Sequence, residues 1–244
     1  MFHSGRIIRK FAASPTIVVL DLEIPTLSKF EPGQWLDFMV PPNKWIGGFS
    51  IVSCPKDLPN VTIAVKRSNH PPAEWVHQQS SVGALVEIQV GGSCTLPDTA
   101  EKHQAVFCAG GIGISPILCQ YREYIRRRDA AAYGKARTYF YYSVKSQDEL
   151  VFEDELFELT SRNRDLDRLT VTLTKQTEWK GLTNTDDLPN VEFRTGRFLQ
   201  PFLDMMPLSA VYYICGPRLM LDHAVSQLKN RGVPQEHIRY ELWW

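Results

Sequence analysis

The sequence predicts two domains, an N-terminal antiparallel β barrel and a C-terminal α/β domain on a doubly wound parallel sheet. Up to about residue 98, short β-rich segments recur between Gly and Pro residues, a spacing typical of a closed barrel or a sandwich. From residue 99 onward, apolar strand-like segments alternate with helix-like ones, which indicates βαβ units. We therefore expect the domains to be residues 1–98 and 99–244.

The first half begins with a basic segment. MFHSGRIIRKFAASP lacks acidic residues, as transit peptides do, but a strand-like segment follows at once, so we interpret it as the first strand. One helix is predicted over residues 73–79. The further predicted strands are residues 16–24, 34–40, 48–53, 61–67 and 84–90.

The second half carries the alternating pattern. Helices are predicted over residues 115–128, 148–162 and 218–232, the last of which ends on Gly232 as a C-cap. The predicted strands are residues 105–110, 137–144, 169–175 and 210–215.

Charge and composition argue against several classes of protein. Lys plus Arg equals Asp plus Glu, at 27 each, so the chain has no overall attraction for nucleic acid or an anionic membrane. No apolar run approaches the ~20 residues of a membrane span. The basic cluster 122–129 is interpreted as the solvated end of a helix, because cations favour helix C-termini.

Cysteine usage points to a reducing compartment. No C-x-x-C pair occurs, which argues against a disulfide scaffold, a zinc site or an iron–sulfur cluster, and we expect no metal. The five cysteines are Cys54, Cys94, Cys108, Cys119 and Cys215.

The stretch CAGGIGISPIL, residues 108–118, is typical of a strand end, a glycine turn and a helix start. Gly110, Gly111 and Gly113 permit positive φ and close approach of a ligand, and a helix N-terminus attracts a pyrophosphate. Pro116 fits the first helical turn, where an N–H has no partner within the helix. The pattern predicts a phosphate cradle, with a purely structural tight turn as the alternative.

A second strand–turn–helix pattern is YYICGPRLM, residues 212–220, in which a strand ends in Cys215, Gly216 and Pro217. Ligands of open α/β sheets bind at the carboxyl ends of strands, and both turns lie at such ends. By itself this motif is more often a turn with a buried thiol. The two turns together, followed by the terminal ELWW, are more specific.

Six segments together resemble the ferredoxin–NADP reductase superfamily and, within it, the oxidoreductase NAD-binding domain-containing proteins. These segments are PGQWLDF (32–38), GGFSIVS (47–53), NHPPAEWVH (69–77), AGGIGISP (109–116), YYICGP (212–217) and ELWW (241–244). The resemblance covers essentially the whole chain. It implies an N-terminal flavin barrel, a C-terminal nicotinamide-nucleotide domain and hydride transfer between nicotinamide and flavin.

The resemblance also implies a reaction centre. Ser50 corresponds to the serine whose hydroxyl lies near flavin N5, Cys215 to the thiol beside the nicotinamide ring, and Glu241 to a carboxylate that joins this polar group. Trp243 corresponds to the terminal aromatic residue that covers the flavin ring and moves aside for nicotinamide, and Trp244 is an extra residue. An indole face suits such stacking, with ordinary core or interface packing as the alternative.

The implied cofactors are FAD and NAD(P)H. The implied flavin-side residues are Gly48, Phe49, Ser50, Ile51, Val65, Lys66, His70, Pro72, Ala73, Trp243 and Trp244. The implied nicotinamide-side residues are Gly110, Gly111, Gly113, Ile114, Pro116, Ser143, Lys145, Cys215, Gly216, Pro217 and Met220. Lys145 lies where the family contacts the adenosine ribose and could pair with the 2′-phosphate of NADP; a solvated lysine is the alternative, so NAD and NADP both stay open.

Two segments depart from the family's pattern. The family's flavin motif is Arg-x-Tyr-Ser, whereas residues 47–50 are GGFS, so the arginine that pairs with the flavin phosphate and the tyrosine hydroxyl are absent. His70 and Ala73 stand where the family places Gly and Ser facing the diphosphate. His70, Lys66 and Arg67 are the cations that could compensate. We therefore expect flavin to bind less tightly than in typical relatives.

The predicted function is a flavin-dependent oxidoreductase that passes hydride from NAD(P)H to a flavin and on to an unknown acceptor. The alternative is a nucleotide-binding sensor or assembly subunit with weak or lost catalysis. The missing arginine favours this alternative, whereas four retained residues oppose it: Ser50, Cys215, Glu241 and Trp243. A short-chain-type dehydrogenase is disfavoured, because its glycine turn would lie near the N-terminus. We expect a soluble protein in mitochondria or the cytoplasm, without nucleic-acid partners.

Overall fold

The computed structural model describes residues 2–40, 45–131, 136–181 and 188–242. The chain folds into two compact units. The first is Met1–Leu96 together with Leu118–Glu123, and the second is Pro97–Ile117 together with Tyr124–Trp244. Each unit has its own sheet and its own hydrophobic core.

The first unit is an antiparallel barrel, as the sequence predicts. Neighbouring strands follow the order β4-β3-β6-β1-β2-β5 and are antiparallel throughout. The two edges meet beyond β4, where Ile51 bridges Ile63 and the Val52 N–H donates to Thr62 O at 2.8 Å. Because both edges are paired there, the sheet closes on itself. The strands are β1 (His3–Ser14), β2 (Ile17–Glu23), β3 (Trp35–Val40), β4 (Trp45–Ser50), β5 (Asn60–Lys66) and β6 (Leu85–Gly91).

Alternating side chains fill the barrel. In β3, Leu36, Phe38 and Val40 are buried, whereas the residues between them are only partly buried. The helix α1 (Pro71–Gln78) packs Trp75 against Phe38, with ring centroids 6.0 Å apart, and buries Val76 in the same core. Apolar burial thus anchors α1 to the strand that pairs with β4.

The second unit is built on a six-stranded parallel sheet, also as predicted. The strand order is β10-β9-β8-β7-β11-β12, and every neighbouring pair is parallel. The strands are β7 (Ala105–Gly110), β8 (Thr138–Val144), β9 (Asp167–Leu173), β10 (Val191–Thr195), β11 (Val211–Cys215) and β12 (Ile238–Glu241). The helices are α2 (Ile114–Ala130), α3 (Glu153–Ser161), α4 (Leu199–Met205) and α5 (Arg218–Asn230).

The sheet has a switch point beside β7. The chain winds from β7 to β8 on one side, and β11 pairs with β7 on the other side. In open α/β sheets, ligands bind outside the carboxyl ends of the strands at such a point. The fold therefore places the ends of β7 and β11 where a ligand crevice is expected.

A buried ion pair joins α2 to β9. The side chains of Arg128 and Asp167 are 1% and 0% exposed. Arg128 donates from Nη2 to Asp167 Oδ2 at 2.9 Å and from Nη1 to Asp167 Oδ1. Thr138 Oγ1 also donates to Asp167 Oδ1, at 2.5 Å. Because removing Arg128 would leave the buried carboxylate of Asp167 without its cation, such a change costs about 3–5 kcal/mol.

The interpretation of residues 122–129 as a solvated helix end is therefore wrong for three of its arginines, one of which, Arg127, donates from Nη1 to Pro97 O at 2.9 Å. Arg128 is buried against Asp167. Arg122 donates from Nη1 to Val52 O at 2.6 Å. Charge alone did not reveal these partners, because all three lie far away in the sequence.

The structure also differs from the prediction before α3. The helix predicted over residues 148–162 begins only at Glu153. Leu150 is extended, and Phe152 has a φ of 61°, in the left-handed region where a right-handed helix cannot continue. The helix thus starts after that residue, with acidic side chains in its first turn.

Three elements, β10, β12 and α4, are not predicted by the sequence. They span five, four and seven residues, which is too short for a clear periodic pattern. The other predicted elements are present, with ends shifted by a few residues.

Among the described residues, no helix combines the length and the apolarity that a membrane crossing requires. The 3₁₀ turns are Pro55–Asp57, Ala100–Lys102, Gly111–Gly113, Gln147–Glu149 and Gln235–His237.

The end of α5 follows the predicted glycine cap. Gly232 has a φ of +83°. The Gly232 N–H donates to Lys229 O at 3.0 Å, and the Val233 N–H donates to Leu228 O at 3.0 Å. These two bonds form a Schellman motif, which requires a left-handed residue at this position.

Candidate functional site

The glycine turn connects β7 to α2. The strand ends at Gly110, a 3₁₀ turn spans Gly111–Gly113, and α2 begins at Ile114. Gly111 has a φ of +53°, which a side chain disfavours. Pro116 lies in the first turn of α2, where a missing N–H breaks no helical bond.

This turn packs against the turn that follows β11. A Cβ atom on Gly113 would lie 2.3 Å from Cys215 O and 2.5 Å from the Cys215 carbonyl carbon. A Cβ atom on Gly110 would lie 2.4 Å from Met220 Sδ, and one on Gly216 would lie 3.1 Å from Gly110 Cα. The two turns are therefore in backbone contact, which only glycine permits at these positions.

Strand register brings four predicted residues to the carboxyl edge of the sheet. Gly110 pairs with Ser143 of β8, and Ala109 pairs with Cys215 of β11. Cys215 in turn pairs with Glu241 of β12. Cys215 is 2% exposed, and Glu241 is partly buried. A thiol and a carboxylate thus lie on adjacent strands at the level of the glycine turn.

Ser143 and two further predicted residues surround Gly110. Ser143 Oγ donates to Ala109 O at 3.5 Å and lies 3.9 Å from Met220 Sδ. A Cβ atom on Gly110 would also lie 2.7 Å from Pro217 Cδ. Ser143, Met220 and Pro217 therefore come together at the end of β7, although Ser143 is far from the other two in the sequence.

Ser115 is a candidate residue that the sequence analysis missed. It is the second residue of α2, it is 1% exposed, and its Oγ has no hydrogen-bond partner among the described residues. A buried hydroxyl without a partner costs about 1–3 kcal/mol, so a bound group or a water molecule is expected to supply one. The sequence signal was a hydroxyl residue within the first turn after the glycines.

Lys145 lies just beyond β8 and is exposed. Its carbonyl oxygen accepts hydrogen bonds from the N–H groups of Lys175, at 2.9 Å, and Gln176, at 3.2 Å. Lys175 is also exposed. The Gln147 side chain holds the following loop, because its Nε2 donates to Lys180 O and its Oε1 accepts from Lys180 N, both at 2.9 Å. Two lysines are thus held at the ends of adjacent strands.

On the barrel, the predicted flavin residues cluster around the end of β4. Ser50 is the last residue of β4, is 8% exposed and pairs with Trp35 of β3. Phe49 packs edge-on against Phe38, with ring centroids 5.8 Å apart. Ile51 continues the chain into the bridge that closes the barrel. These residues are held by the sheet itself.

Other predicted flavin residues lie on neighbouring strands. Gly48 pairs with Asp37 of β3. Val65 and Lys66 end β5, and Val65 O lies 3.0 Å from Nε2 of His77 on α1. This contact ties the end of β5 to α1.

Gly47 and Pro72, within the two segments that depart from the family's pattern, lie against each other. A Cβ atom on Gly47 would lie 2.6 Å from Pro72 Cβ and 3.0 Å from Pro72 Cγ. Pro72 is buried at the start of α1. No side chain, arginine included, fits at position 47 while the Pro72 ring occupies this space.

The N-terminus of α1 offers few N–H groups to an anion. Pro71 and Pro72 carry none, and the Glu74 N–H donates to His70 O at 3.0 Å. This leaves the buried Ala73 as the first helical residue with an N–H to give. Glu74 adds a negative charge in the first turn. The helix itself therefore offers little to a diphosphate, and the cations nearest to it in the chain are Lys66, Arg67 and His70, of which Arg67 and His70 are exposed.

Two predicted residues, Trp243 and Trp244, lie outside the described part of the chain. Within the described residues, no group of three or more His, Cys, Asp or Glu side chains could hold a metal ion.

Comparison with known proteins places both turns of the second unit in one family domain. The family model of the oxidoreductase NAD-binding domain matches residues 107–226. Over 245 residues, the chain is 34% identical to oxidoreductase NAD-binding domain-containing protein 1 of Homo sapiens, and the match covers 95% of this chain and 76% of that protein.

Solved structures share the fold at low sequence identity. The flavohem-like FAD/NAD-binding domain of nitric oxide dioxygenase from Vibrio cholerae has a TM-score of 0.80 and 18% identity, with 99% of this chain and 98% of that chain covered. Ferredoxin–NADP+ reductase from Plasmodium falciparum has a TM-score of 0.77 and 16% identity, with 99% and 96% covered. The fold is thus that of the ferredoxin reductases, and the chain belongs to the family of oxidoreductase NAD-binding domain-containing protein 1.

Proposed function

We propose that the protein is a flavin-dependent oxidoreductase that takes a hydride from NAD(P)H and passes it, through a flavin, to an acceptor. The observation that carries the proposal is the backbone contact between the glycine turn and the turn after β11. This contact lies at the switch point of the sheet, where open α/β sheets bind dinucleotides. Membership of a family with an NAD-binding domain supports the same conclusion.

The glycine turn is the proposed site for the pyrophosphate of the dinucleotide. A Cβ atom on Gly111 would meet nothing within 4 Å, so the backbone is open to a ligand there, whereas Gly110 and Gly113 let the two turns pack together. The N-terminus of α2 adds N–H groups and a partial positive charge. A phosphate oxygen would also give Ser115 Oγ the partner that it lacks among the described residues.

Cys215 and Glu241 are the proposed neighbours of the nicotinamide ring, and Ser50 is the proposed neighbour of the flavin ring. When both are bound, the nicotinamide supplies the hydride and the flavin ring accepts it. The buried Cys215 offers an apolar surface, whereas Glu241 on the next strand offers a hydrogen-bond acceptor. The Ser50 hydroxyl can form a hydrogen bond with a polar atom of the flavin ring. Trp243 stays a predicted cover for that ring.

The barrel fits the ring end of a flavin and not its phosphate end. Ser50 and Phe49 lie at the end of β4, in rigid sheet structure. The contact of Gly47 with Pro72 and the prolines that open α1 remove the anion site that the family's motif supplies. We infer that the flavin is held through its ring, without a strong contact to its phosphates.

The adenosine end of the dinucleotide is the proposed place for the choice between NAD and NADP. Lys145 and Lys175 lie at the ends of β8 and β9, joined through the Lys145 carbonyl group. Both side chains are exposed, so a 2′-phosphate could reach them. A pair of lysines at this position favours NADPH.

The second candidate function is a nucleotide-binding protein without catalysis. The observation that favours it is the same contact of Gly47 with Pro72, because a protein that binds flavin weakly could have lost the flavin reaction. It predicts binding of NAD(P)H without electron transfer, which the first experiment below distinguishes.

Flavin reduction tests the proposed function directly. When the protein, FAD and NADH or NADPH are mixed without oxygen, we expect the visible absorbance of the oxidised flavin to disappear much faster than without protein. Ser50→Ala should slow this by roughly tenfold or more, because one hydrogen-bond donor at a reacting ring is lost. Ser80→Ala is the matched control, since Ser80 is also buried, at 7% exposed, and its hydroxyl donates to Val76 O instead. Nucleotide binding without loss of flavin absorbance would support the second candidate.

Gly113→Ala tests the nucleotide site. The new Cβ would meet the Cys215 carbonyl group, so the two turns must separate, and we expect the Kd for NAD(P)H to rise by about tenfold or more. The readout is a titration of nucleotide fluorescence. Gly232→Asn is the control, because asparagine tolerates the left-handed cap of α5 and should leave the Kd unchanged. An unchanged Kd for Gly113→Ala would exclude this turn as the binding site.

Lys145→Ala tests the choice of nucleotide. Loss of a charge-assisted contact to the 2′-phosphate should raise the Kd for NADPH by about tenfold and leave the Kd for NADH unchanged. The ratio of the two Kd values is the measurement, with the exposed Lys229→Ala as a control for a general loss of positive charge. If the ratio is the same in Lys145→Ala and the wild type, Lys145 does not read the phosphate.

Flavin affinities test the ring-only mode of binding. Riboflavin, FMN and FAD should bind the wild-type protein with Kd values within about threefold of one another. The double variant Gly47→Arg/Pro72→Gly makes room for an arginine and should favour FMN and FAD by about tenfold or more over riboflavin. Gly47→Arg alone is the control, which Pro72 should prevent from gaining this preference. A wild-type protein that binds FAD ten times more tightly than riboflavin would contradict the inference.

A further inference from the structure

Two buried cysteines that the proposed function does not use lie together in the first unit. Cys54 follows the segment that closes the barrel, and Cys119 lies in the second turn of α2. Their exposed fractions are 2% and 0%, and their side chains are within hydrogen-bonding reach of each other. Both belong to the same compact unit, because residues 118–123 of α2 pack with the barrel.

Several bonds fix this contact. The Cys54 N–H donates to Asp57 Oδ2 at 2.8 Å, which holds the 3₁₀ turn that follows. Cys119 Sγ lies 3.0 Å from Ser53 O. One turn further along α2, Arg122 Nη1 donates to Val52 O at 2.6 Å. The backbone of residues 52–54 is therefore held against the helix face that carries Cys119.

The surroundings distinguish the two thiols. The hydrogen bond with Cys119 lowers the pKa of Cys54 against the opposing effect of burial, and the guanidinium of Arg122 lowers it further. The carboxylates of Asp57 and Glu123 act in the opposite direction, but the net shift is downward. Burial raises the pKa of Cys119, and the bond with Cys54 raises it further. Cys54 is thus the better nucleophile of the pair.

We propose that Cys54 and Cys119 form a reversible intramolecular disulfide when the protein meets hydrogen peroxide. The two segments are already in contact, since Cys119 Sγ lies 3.0 Å from the carbonyl oxygen of Ser53, the residue before Cys54, and further hydrogen bonds fix both backbone segments. Because both thiols are buried, only a small oxidant such as hydrogen peroxide could reach them. The proposal does not depend on the proposed oxidoreductase activity.

The chemistry balances with one peroxide molecule. The Cys54 thiolate attacks one peroxide oxygen, the O–O bond breaks, and the departing hydroxide takes up the former thiol proton to become water. Cys119 sulfur then attacks the sulfur of the resulting Cys54 sulfenic acid, and the hydroxyl group leaves as a second water molecule with the Cys119 proton. Two thiols are oxidised by two electrons, and one peroxide is reduced to two water molecules.

The disulfide would change the mobility of α2. This helix begins at the glycine turn, and Cys119 lies only a few residues beyond Ile114. A covalent bond at Cys119 would tie the helix to the segment that follows Ser50. The disulfide would therefore form only a few residues along the chain from Ser50 and from the glycine turn.

Mass spectrometry of the whole protein tests the proposal. The reduced chain is treated with a small molar excess of peroxide, denatured in the presence of an alkylating agent and digested without reductant. We expect the number of alkylated cysteines to fall by two and a linked pair of peptides containing Cys54 and Cys119 to appear. Reduction with dithiothreitol should restore both thiols. Persistence of both residues as alkylated thiols, or pairing of Cys54 with another cysteine, would overturn the proposal.

Two variants separate the roles of the thiols. In Cys119→Ser, Cys54 should stop at the sulfenic acid, because its resolving partner is missing, and it should be labelled when the protein is denatured in the presence of dimedone. Cys108→Ser is the matched control: Cys108 is also fully buried, burial raises the pKa of its thiol, and this change should leave the linked pair intact. If Cys119→Ser gives no dimedone adduct and the wild type no linked pair, the site does not react as proposed.

Discussion

Direct contact between the glycine turn after β7 and the turn after β11 is the constraint on which the second unit depends. At Gly113 and Gly110, the space of a methyl group is already filled by the carbonyl group of Cys215 and by the side chain of Met220. The parallel register then follows, with Ala109 beside Cys215. The glycine turn proposed to hold the pyrophosphate therefore takes its position from backbone contacts.

A second contact within the same unit fixes the helix that begins at this edge of the sheet. The ion pair of Arg128 with Asp167 lies at the other end of α2, so the helix that starts at the glycine turn is also held where it finishes. Thr138 shares the carboxylate, which leaves no oxygen of Asp167 without a bond. A helix fixed at both ends presents its N-terminus in one orientation, as the electrostatic binding of a phosphate requires.

Local patterns allowed much of this to be predicted from the sequence. The prediction of a strand, a glycine turn and a helix start was confirmed, because these three segments are adjacent in the chain. Contacts between distant segments were not predictable: Cys54 and Cys119 appeared unrelated, and Arg128 appeared solvated, because their partners are set by the packing of α2. The prediction that α3 begins near residue 148 was wrong for another reason. One left-handed residue, Phe152, interrupts an otherwise helical pattern.

The contact between Gly47 and Pro72 couples the two positions in any redesign of this barrel. While proline occupies position 72, a single substitution cannot place an arginine at position 47, because the two side chains would share the same space. An arginine at position 47 therefore needs a change at Pro72 first, and that change gives no phosphate contact by itself. The two positions have to be altered together before either alteration can improve the binding of a phosphate.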